Sequence, residues 1–561
     1  MDDKCSPLAL LESKSNAIAF GLLLVFAILL LSPGIGQLTG ITGKDEYLLS
    51  LRTPLTMMEQ DRWLVPWLDG APRLKKPPLI YWLARASFEV FGPSLVSARG
   101  LSVLFGAVLI VVGGLIAWEL SRDRRYGLFT ALVLASLLVL AVESRRLMLD
   151  LPSTTWSALA FYSFLRWRAR FAWGWVLATA VFLAAGFLTK MPFVFMLFGS
   201  GVLALMITDT RLRGELWSHK LQVLAVVVLF LLLAVPWFWY AYHTYPEYSS
   251  TMLKEDVASR RLLSFSLAPV SAVLIIAFPW SFVLLQLLAP SRRAAIGREG
   301  VRRLTPMLLW WIALSVLPFF FFRSFARYMA GSAVPIAMLC AAVVALPRPE
   351  ACRLGARIGM VLALLVALVF SAFALWFRTA TVAAVAALLV AGLFAVEWWR
   401  ARRPEHMAVS AALLWLLLIG VLYPGFGINA IPDKVLRAIE GREPILFAGP
   451  QPALLPMVLK RSLIRKKHLG ADDLRPRDGR EPLIFARQED LPALERKLGG
   501  LGYTARVVDR FQTLSSRKTW VRFARKGATS ADWWRAIRQR SLAPIQSTIV
   551  MVTPGPKTAS P

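Results

Sequence analysis

Three cysteines in 561 residues exclude a disulfide framework. Cys5 lies near the N-terminus, Cys340 within an apolar run and Cys352 just beyond it. The four histidines, His219, His243, His406 and His468, are scattered and offer no Cys/His spacing of a structural zinc site. No Gly-x-Gly-x-x-Gly follows a strand-like run, which argues against a Rossmann-type nucleotide site. Acid is scarce: 34 Asp+Glu stand against 64 Lys+Arg, a formal net charge of +30. Charged residues make up only 17% of the chain and hydrophobic ones 57%, where soluble chains have about 25% and about 45–50%. What the chain has in abundance is long apolar runs. In a soluble protein the basic excess would point to nucleic acid. In a multi-spanning membrane protein it arises first from the basic cytoplasmic loops that set orientation.

A helix needs about 20 mostly apolar residues to cross the hydrocarbon core. By that measure about thirteen segments qualify, near 17–37, 95–119, 126–143, 151–165, 172–188, 192–208, 220–241, 267–290, 305–322, 328–346, 355–376, 379–398 and 407–427. The connectors alternate in charge. With Lys4 and Lys14, those near 121–125, 166–170, 209–220, 291–303, 347–357 and 400–406 hold 22 Lys/Arg. The short connectors between them, near 144–150, 189–191, 242–266, 323–327 and 377–378, hold nine. The positive-inside rule therefore predicts a cytoplasmic N-terminus, and an odd number of spans places the C-terminal segment outside. The first span is not expected to be a cleaved signal peptide: it is long, follows Asp2, Asp3 and Glu12, and lacks a small-residue cleavage site.

From about residue 428 the hydropathy falls. The runs 444–448, 482–486, 505–509 and 520–524 read as strands and 491–499 as an amphipathic helix closed by Gly499. The predicted organisation is a mainly α, polytopic membrane body over 1–427, with an external amphipathic loop at 38–94. A small extramembrane α/β domain is predicted over 428–526 and a flexible tail over 527–561. Residues 428–561 carry 25 Lys/Arg and 12 Asp/Glu, so +13 of the net charge sits there.

The external connectors hold the unusual residues. In 38–94, the stretches 45–60 and 79–91 are amphipathic, and the second carries Tyr81, Trp82, Phe88 and Phe91; both suit interfacial helices. Asp45 and Glu46 follow the first span closely. One carboxylate of this pair, desolvated near a membrane-facing cavity, could take a proton; helix capping by Asp45 is the alternative. Lys76, in Lys75-Lys76-Pro77-Pro78, is a candidate clamp for an anionic phosphate, or else a basic interface anchor. Asp150 precedes Leu151-Pro152 at the head of a span and reads as a site acid or a helix cap. Lys190 in 186–192 and Arg327-Tyr328 in 323–331 sit at external span ends, where a cation either meets a lipid phosphate or snorkels. The connector 242–266 adds Arg260 and Arg261 after the aromatic run 236–245, which marks an interface and makes His243 an interface residue.

Several motifs occur in a particular order: Asp45-Glu46, RLKKPPLIYWL at 73–83, SARGLSVLFG at 97–106, RRLMLDLPS at 145–153, GFLTKMP at 186–192, PWFWY at 236–240, FPWS at 278–281 and ARYMAGSAVPIAML at 326–339. This order resembles the bacterial GT-C glycosyltransferases of the aminoarabinose-transferase and protein O-mannosyltransferase superfamily. The resemblance implies a GT-C architecture in the inner membrane and transfer of a sugar from a polyprenyl-phosphate carrier. The acceptor would be a lipid (as in lipid A modification), a glycan or a protein on the external face. It implies metal-independent or weakly metal-dependent chemistry, no dedicated cofactor and no nucleic-acid partner. By the same resemblance Asp45 is the catalytic base and Asp150 a second acid that orients the acceptor or a cationic partner. Lys76 would lie near the donor phosphate, and Glu46, Tyr81, Lys190, Arg260, Arg327 and Tyr328 near the substrate cavity.

Three positions depart from the pattern. Lys75 stands where aminoarabinose transferases carry an acid, Leu48 replaces an arginine soon after the acidic pair, and Glu255-Asp256 stands where many relatives have Glu-His. These departures bear on the sugar more than on the reaction. A polytopic transporter or flippase is the rival class; such proteins concentrate polar residues and helix breaks near the midplane, whereas here they gather at external span ends.

Overall fold

The computed structural model describes residues 7–249, 265–321, 325–346, 353–400, 404–447, 449, 452–463, 465–466, 469–476, 479–513, 524–525 and 527–556. Helices occupy each of the thirteen apolar segments. Seven are long and apolar enough to cross a membrane, and nine if two sharply bent pairs each count as one span. The bent pairs are Phe193–Thr208 with Arg211–Ser218 and Ala268–Ala277 with Ser281–Leu287. Asn16–Leu31 and Thr381–Val396 are apolar but shorter. By length and composition alone, seven to nine of these helices among the described residues meet the requirement for a crossing.

Local chemistry explains the helix ends. Ser94 and Ser97 form a reciprocal capping box at the head of Leu95–Ser121, and the Asp123 carboxylate accepts from the Tyr126 amide at 3.1 Å to start Arg124–Ala135. The predicted span at 126–143 breaks at Ser136-Leu137 because other helices satisfy the freed backbone. Trp280 Nε1 donates to Ser136 Oγ and Trp415 Nε1 to Ser136 O, both at 2.8 Å, while Leu138 N donates to Phe278 O at 3.1 Å. An interrupted helix inside a membrane body needs such partners.

The first external connector is a packed element. It folds as Glu46–Ser50, Arg52–Glu59, the hairpin of β1 (Trp67–Leu68) and β2 (Ala71–Pro72), and Leu79–Phe91. Pro54 falls in the first turn of its helix, where no intrahelical donor is lost. Leu48, Leu51, Leu55, Met57, Tyr81 and Phe88 are buried in the main core, so these helices pack on protein with their apolar faces. Arg85 bonds Asp61 at 2.7 Å and Glu89 at 2.8 Å, and Trp237 Nε1 donates to Leu64 O at 2.8 Å. These contacts fasten the connector to its own second helix and to the span Lys220–Thr244.

The C-terminal region forms a five-stranded mixed sheet from β3 (Pro444–Phe447), β4 (Arg465–Lys466), β5 (Leu483–Arg487), β6 (Tyr503–Thr513) and β7 (Ser547–Pro556), in the order β4-β3-β5-β7-β6. Helix Leu491–Gly500 packs Leu494 and Leu498 against it. Three predicted strands are present; 520–523 lie outside the described residues. The expected flexible tail is corrected: it contains helix Ser530–Gln539 and supplies β7 between β5 and β6. Ile549–Val552 is an apolar run, mostly β-branched, that is buried and paired on both sides.

This sheet region grips the connector through helix Arg52–Glu59. Arg52 Nη2 donates to Leu463 O at 2.5 Å and also pairs with Asp69, Thr56 Oγ1 lies 2.7 Å from Ser462 Oγ, and Ser462 N donates to Glu59 at 2.5 Å. Arg52 is almost fully buried. Arg52→Ala is expected to cost about 2 kcal/mol, the loss of charge-assisted bonds from a buried site. It should speed amide exchange at 461–463; unchanged exchange there would show that the grip lies elsewhere.

Candidate active site

Four charged side chains from four separate segments converge at one end of the helical body. Asp150 is the first residue of helix Asp150–Arg170, which Thr155 ties to the neighbouring span by donating to Phe105 O at 3.0 Å. Lys190 is the last residue of Trp173–Lys190. Arg327 and Tyr328 lie on the 3₁₀ turn Ala326–Ser332. That turn sits hard against Phe193–Thr208 because Gly331 has no side chain; a Cβ there would lie 2.0 Å from Leu197. Asp45 precedes the Glu46–Ser50 turn of the connector.

The Lys190 ammonium bonds Asp150 Oδ1 and lies 3.9 Å from the ring centres of both Phe193 and Tyr328, so its charge is held by a carboxylate and two aromatic faces. Arg327 bridges the two acids, with Nη2 2.5 Å from Asp45 Oδ2 and Nε 3.3 Å from Asp150 Oδ2. Lys190 and Arg327 are therefore buried partners of Asp150 and do not snorkel. Asp45 makes no side-chain capping bond, and Asp150 is the first residue of its helix with Leu149 at the cap position; the Asp150 carboxylate is instead engaged by Lys190 and Arg327, and that of Asp45 by Arg327. Asp150 is buried and compensated by two cations, while the Asp45 side chain keeps 42% of its exposure. Asp45 is thus the acid in this cluster that is open to a ligand.

The carboxylate pair divides. Glu46, expected near substrate, is fully buried and taken up by protein groups. Arg99 Nε reaches Glu46 Oε1 at 2.9 Å and Nη2 reaches Oε2 at 3.2 Å; Leu147 N donates to Oε1 at 2.8 Å, and Thr42 Oγ1 donates to Oε2. The desolvated member of the pair is Glu46, a structural anchor, and the member facing out is Asp45. Along a helical turn successive side chains point roughly 100° apart, so neighbouring acids can meet different surroundings, which the dipeptide alone does not disclose.

The RLKKPP motif borders the cluster. Lys75 is exposed and Lys76 half-buried, and the Lys76 charge is near enough to bear on Lys190. Tyr81 is fully buried, with no hydrogen-bond partner for its hydroxyl among the described residues. Burial pushes its phenol above the ordinary value; the nearby Arg73 charge opposes this and Asp45 adds to it. Tyr81 therefore stays a neutral O–H donor at physiological pH. The Arg73 guanidinium lies 5.4 Å from the Tyr81 ring centre, is 7% exposed, and its Nε has no partner among the described residues. A buried arginine and a buried phenol thus lie together with hydrogen-bonding capacity that an anion could use. Arg73 and Phe193 were not singled out from the sequence. Arg73 opens the very motif that drew attention to Lys76, so the signal was present; Phe193 looks like any apolar residue of a span. Arg260 lies outside the described residues. Among the described residues no group of three or more His, Cys, Asp or Glu could hold a metal ion.

Comparison with known proteins bears on this arrangement. Residues 52–251 match the family of dolichyl-phosphate-mannose-protein mannosyltransferases. The crystal structure of ArnT from Cupriavidus metallidurans bound to undecaprenyl phosphate superposes with a TM-score of 0.70 at 18% identity, covering 96% of this chain and 98% of that one. Its fold is that of the GT-C glycosyltransferases. The resemblance drawn from the motif order thus reappears in a family match and in the three-dimensional fold. An undecaprenyl phosphate-alpha-4-amino-4-deoxy-L-arabinose arabinosyl transferase of Pseudomonas aeruginosa (strain LESB58) is 29% identical over 293 residues, 49% of this chain and 51% of the relative. An uncharacterized protein of Aquifex aeolicus is 27% identical over 205 residues, 36% of this chain and 40% of the relative. The chain spans about half or less of the length of these two relatives. The chain described here is a multi-pass membrane protein.

Proposed function

We propose that this GT-C protein is an integral membrane glycosyltransferase. It moves a hexosyl or pentosyl group from a polyprenyl-phosphate carrier to a lipid, glycan or protein acceptor on the external face of the inner membrane. In this reading the N-terminus is cytoplasmic and the region from 428 onward external. The observation that carries it is an outward-facing Asp45 paired with Arg327, in a region where the charges of Lys76 and Arg73 act on Lys190 and Tyr81.

The chemistry follows. An acceptor hydroxyl attacks the anomeric carbon while its proton passes to the Asp45 carboxylate. The bond from that carbon to the phosphate oxygen breaks, and the electron pair leaves with the polyprenyl phosphate. Lys76 and the Tyr81 hydroxyl stabilise the charge that gathers on the departing phosphate, while Arg73 holds the phosphate equally before and during transfer. Asp150 holds Lys190 and Arg327 in place, and Arg327 in turn aims Asp45. Arg260 is retained as a further phosphate-side cation on the strength of the resemblance alone. The activity for which the Pseudomonas relatives are named supports an undecaprenyl-phosphate donor. Lys75, standing beside Lys76, would repel a cationic amino sugar, which favours a neutral one.

The test is transfer in proteoliposomes supplied with undecaprenyl-phosphate-linked neutral sugars, the amino-sugar equivalent and nucleotide sugars. The lipid-linked neutral sugar is expected to be consumed, with polyprenyl phosphate released. Movement of solute or lipid with no donor consumed would instead identify a transporter. Arg73→Ala is expected to raise donor KM about tenfold with kcat nearly held, because a contact made throughout the reaction supplies uniform binding, and Arg73→Lys should recover part of it. An unaltered KM in Arg73→Ala would remove Arg73 from the donor site.

A further inference from the structure

The helix Ser530–Gln539 belongs to neither the transferase site nor the centre of the sheet. Thr529 caps it, accepting from the Asp532 amide at 3.2 Å while the Asp532 carboxylate accepts from Thr529 N at 2.9 Å. Its inner stripe, Trp533, Ala536 and Ile537, packs into the cluster that holds Phe373, Phe377 and Phe426. Trp376, which closes the span Leu354–Trp376, donates Nε1 to Ile537 O at 3.1 Å. The Arg540 guanidinium lies 4.8 Å from the Trp376 ring centre. The helix therefore rests across the end of a membrane span.

Its outer stripe is Ala531, Trp534, Arg535 and Arg538, at the i, i+3, i+4, i+7 spacing of one helical face. With Gln539 these residues line an open cavity of about 530 Å³. Trp534 is 62% exposed. The one acid of the helix, Asp532, is bound to Arg525 at 2.7 Å, so the outer stripe presents cations and an indole with no acid among them. An indole prefers the headgroup layer, and paired arginines at that depth meet lipid phosphates.

We propose that the Trp534–Arg535–Arg538 face is a binding site for anionic lipid, seated in the leaflet into which the Trp376 end of its span opens. Trp534 enters the headgroup layer, and Arg535 and Arg538 hold headgroup phosphates. The partner is a lipid surface, because the adjoining span end brings the face to bilayer level, which a soluble anion would not require.

The experiment uses the full chain in nanodiscs, with Cys5→Ser and Cys352→Ser, a nitroxide at Gln539→Cys, and buried Cys340 kept. Label accessibility to an aqueous relaxer is read in zwitterionic discs and in discs with about 30% anionic phospholipid. Protection is expected to rise with anionic lipid and to be unaffected by added inorganic phosphate. Arg535→Gln with Arg538→Gln should weaken that anionic preference roughly fivefold per arginine removed, with wild-type thermal unfolding as the control for folding. Equal accessibility in both discs overturns the proposal. So does displacement by inorganic phosphate, which would mark a site for a soluble anion, and so does protection that follows protein concentration, which would mark a contact between copies.

Discussion

Asp150→Asn is expected to destabilise the membrane body by about 3–5 kcal/mol, the usual cost of removing one partner from a buried ion pair. The magnitude follows from what is left behind. Lys190 and Arg327, both under 10% exposed, would face one another with Asp45 as the remaining carboxylate at the cluster. Thermal unfolding in detergent should show the drop directly. Transfer should fall as well, because Arg327 loses the second anchor that fixes its approach to Asp45. The double variant Asp150→Asn with Lys190→Met separates the two effects. Removing the stranded ammonium should return much of the stability, since the pair is coupled and its costs are not additive, while transfer stays low. Stability that is unchanged in Asp150→Asn would mean that the cluster is not a buried charge network.

Asp45→Asn should behave in the opposite sense. Its side chain is 42% exposed and makes one ion pair, to Arg327, so the fold should survive with little change in unfolding temperature. The amide cannot accept the acceptor's proton, and loss of a positioned general base costs typically about 10²–10⁴-fold in rate. The loss should appear in kcat more than in donor KM, because the base acts in the transition state. Glu46 makes a contrast built into the same dipeptide. Its bonds to Arg99 and Leu147 tie the connector to helix Leu95–Ser121 and to the loop ahead of Asp150–Arg170, so changing it should reduce stability first and transfer only as a consequence.

Motif order made much of this site legible in the chain. Asp150, Lys190 and Arg327 lie at span ends and Asp45 soon after one, and a charged residue at such a position is expensive enough to be conspicuous in an apolar sequence; Lys76 stands out in the connector by its Lys-Lys-Pro-Pro setting. What the chain could not tell is which of two neighbouring acids faces inward; that depends on where Arg99, more than fifty residues away, lands. Arg73 was hidden among seven positively charged residues of its connector, and only burial beside Tyr81 distinguishes it. The C-terminal tail was misjudged for a physical reason too. Pro554 and Pro556 argue against a strand because proline cannot donate to a sheet ladder. In the structure both lie beyond the stretch 549–552 that pairs with β5, and opposite Ala505 and Tyr503 of β6. There β7 has a neighbour on one side only, a position in which proline is tolerated.

The breaks inside spans show a different limit. Composition marks thirteen apolar segments, yet Arg124–Ala135 stops at Ser136 and Asp150–Arg170 carries polar residues along its length. Hydropathy sums the residues of a segment and is blind to tertiary partners such as Trp280 and Trp415, which allow a helix to break inside the body.

The most direct test of the central claim is the rate of polyprenyl-phosphate release from a lipid-linked sugar donor in proteoliposomes, measured for wild type and Asp45→Asn at matched folded protein. The wild type should release one carrier for each sugar transferred, and Asp45→Asn should fall by at least about a hundredfold while binding donor as before. Release by Asp45→Asn at the wild-type rate would contradict the assignment of Asp45 as the base and, with it, the reading of this cluster as the catalytic centre.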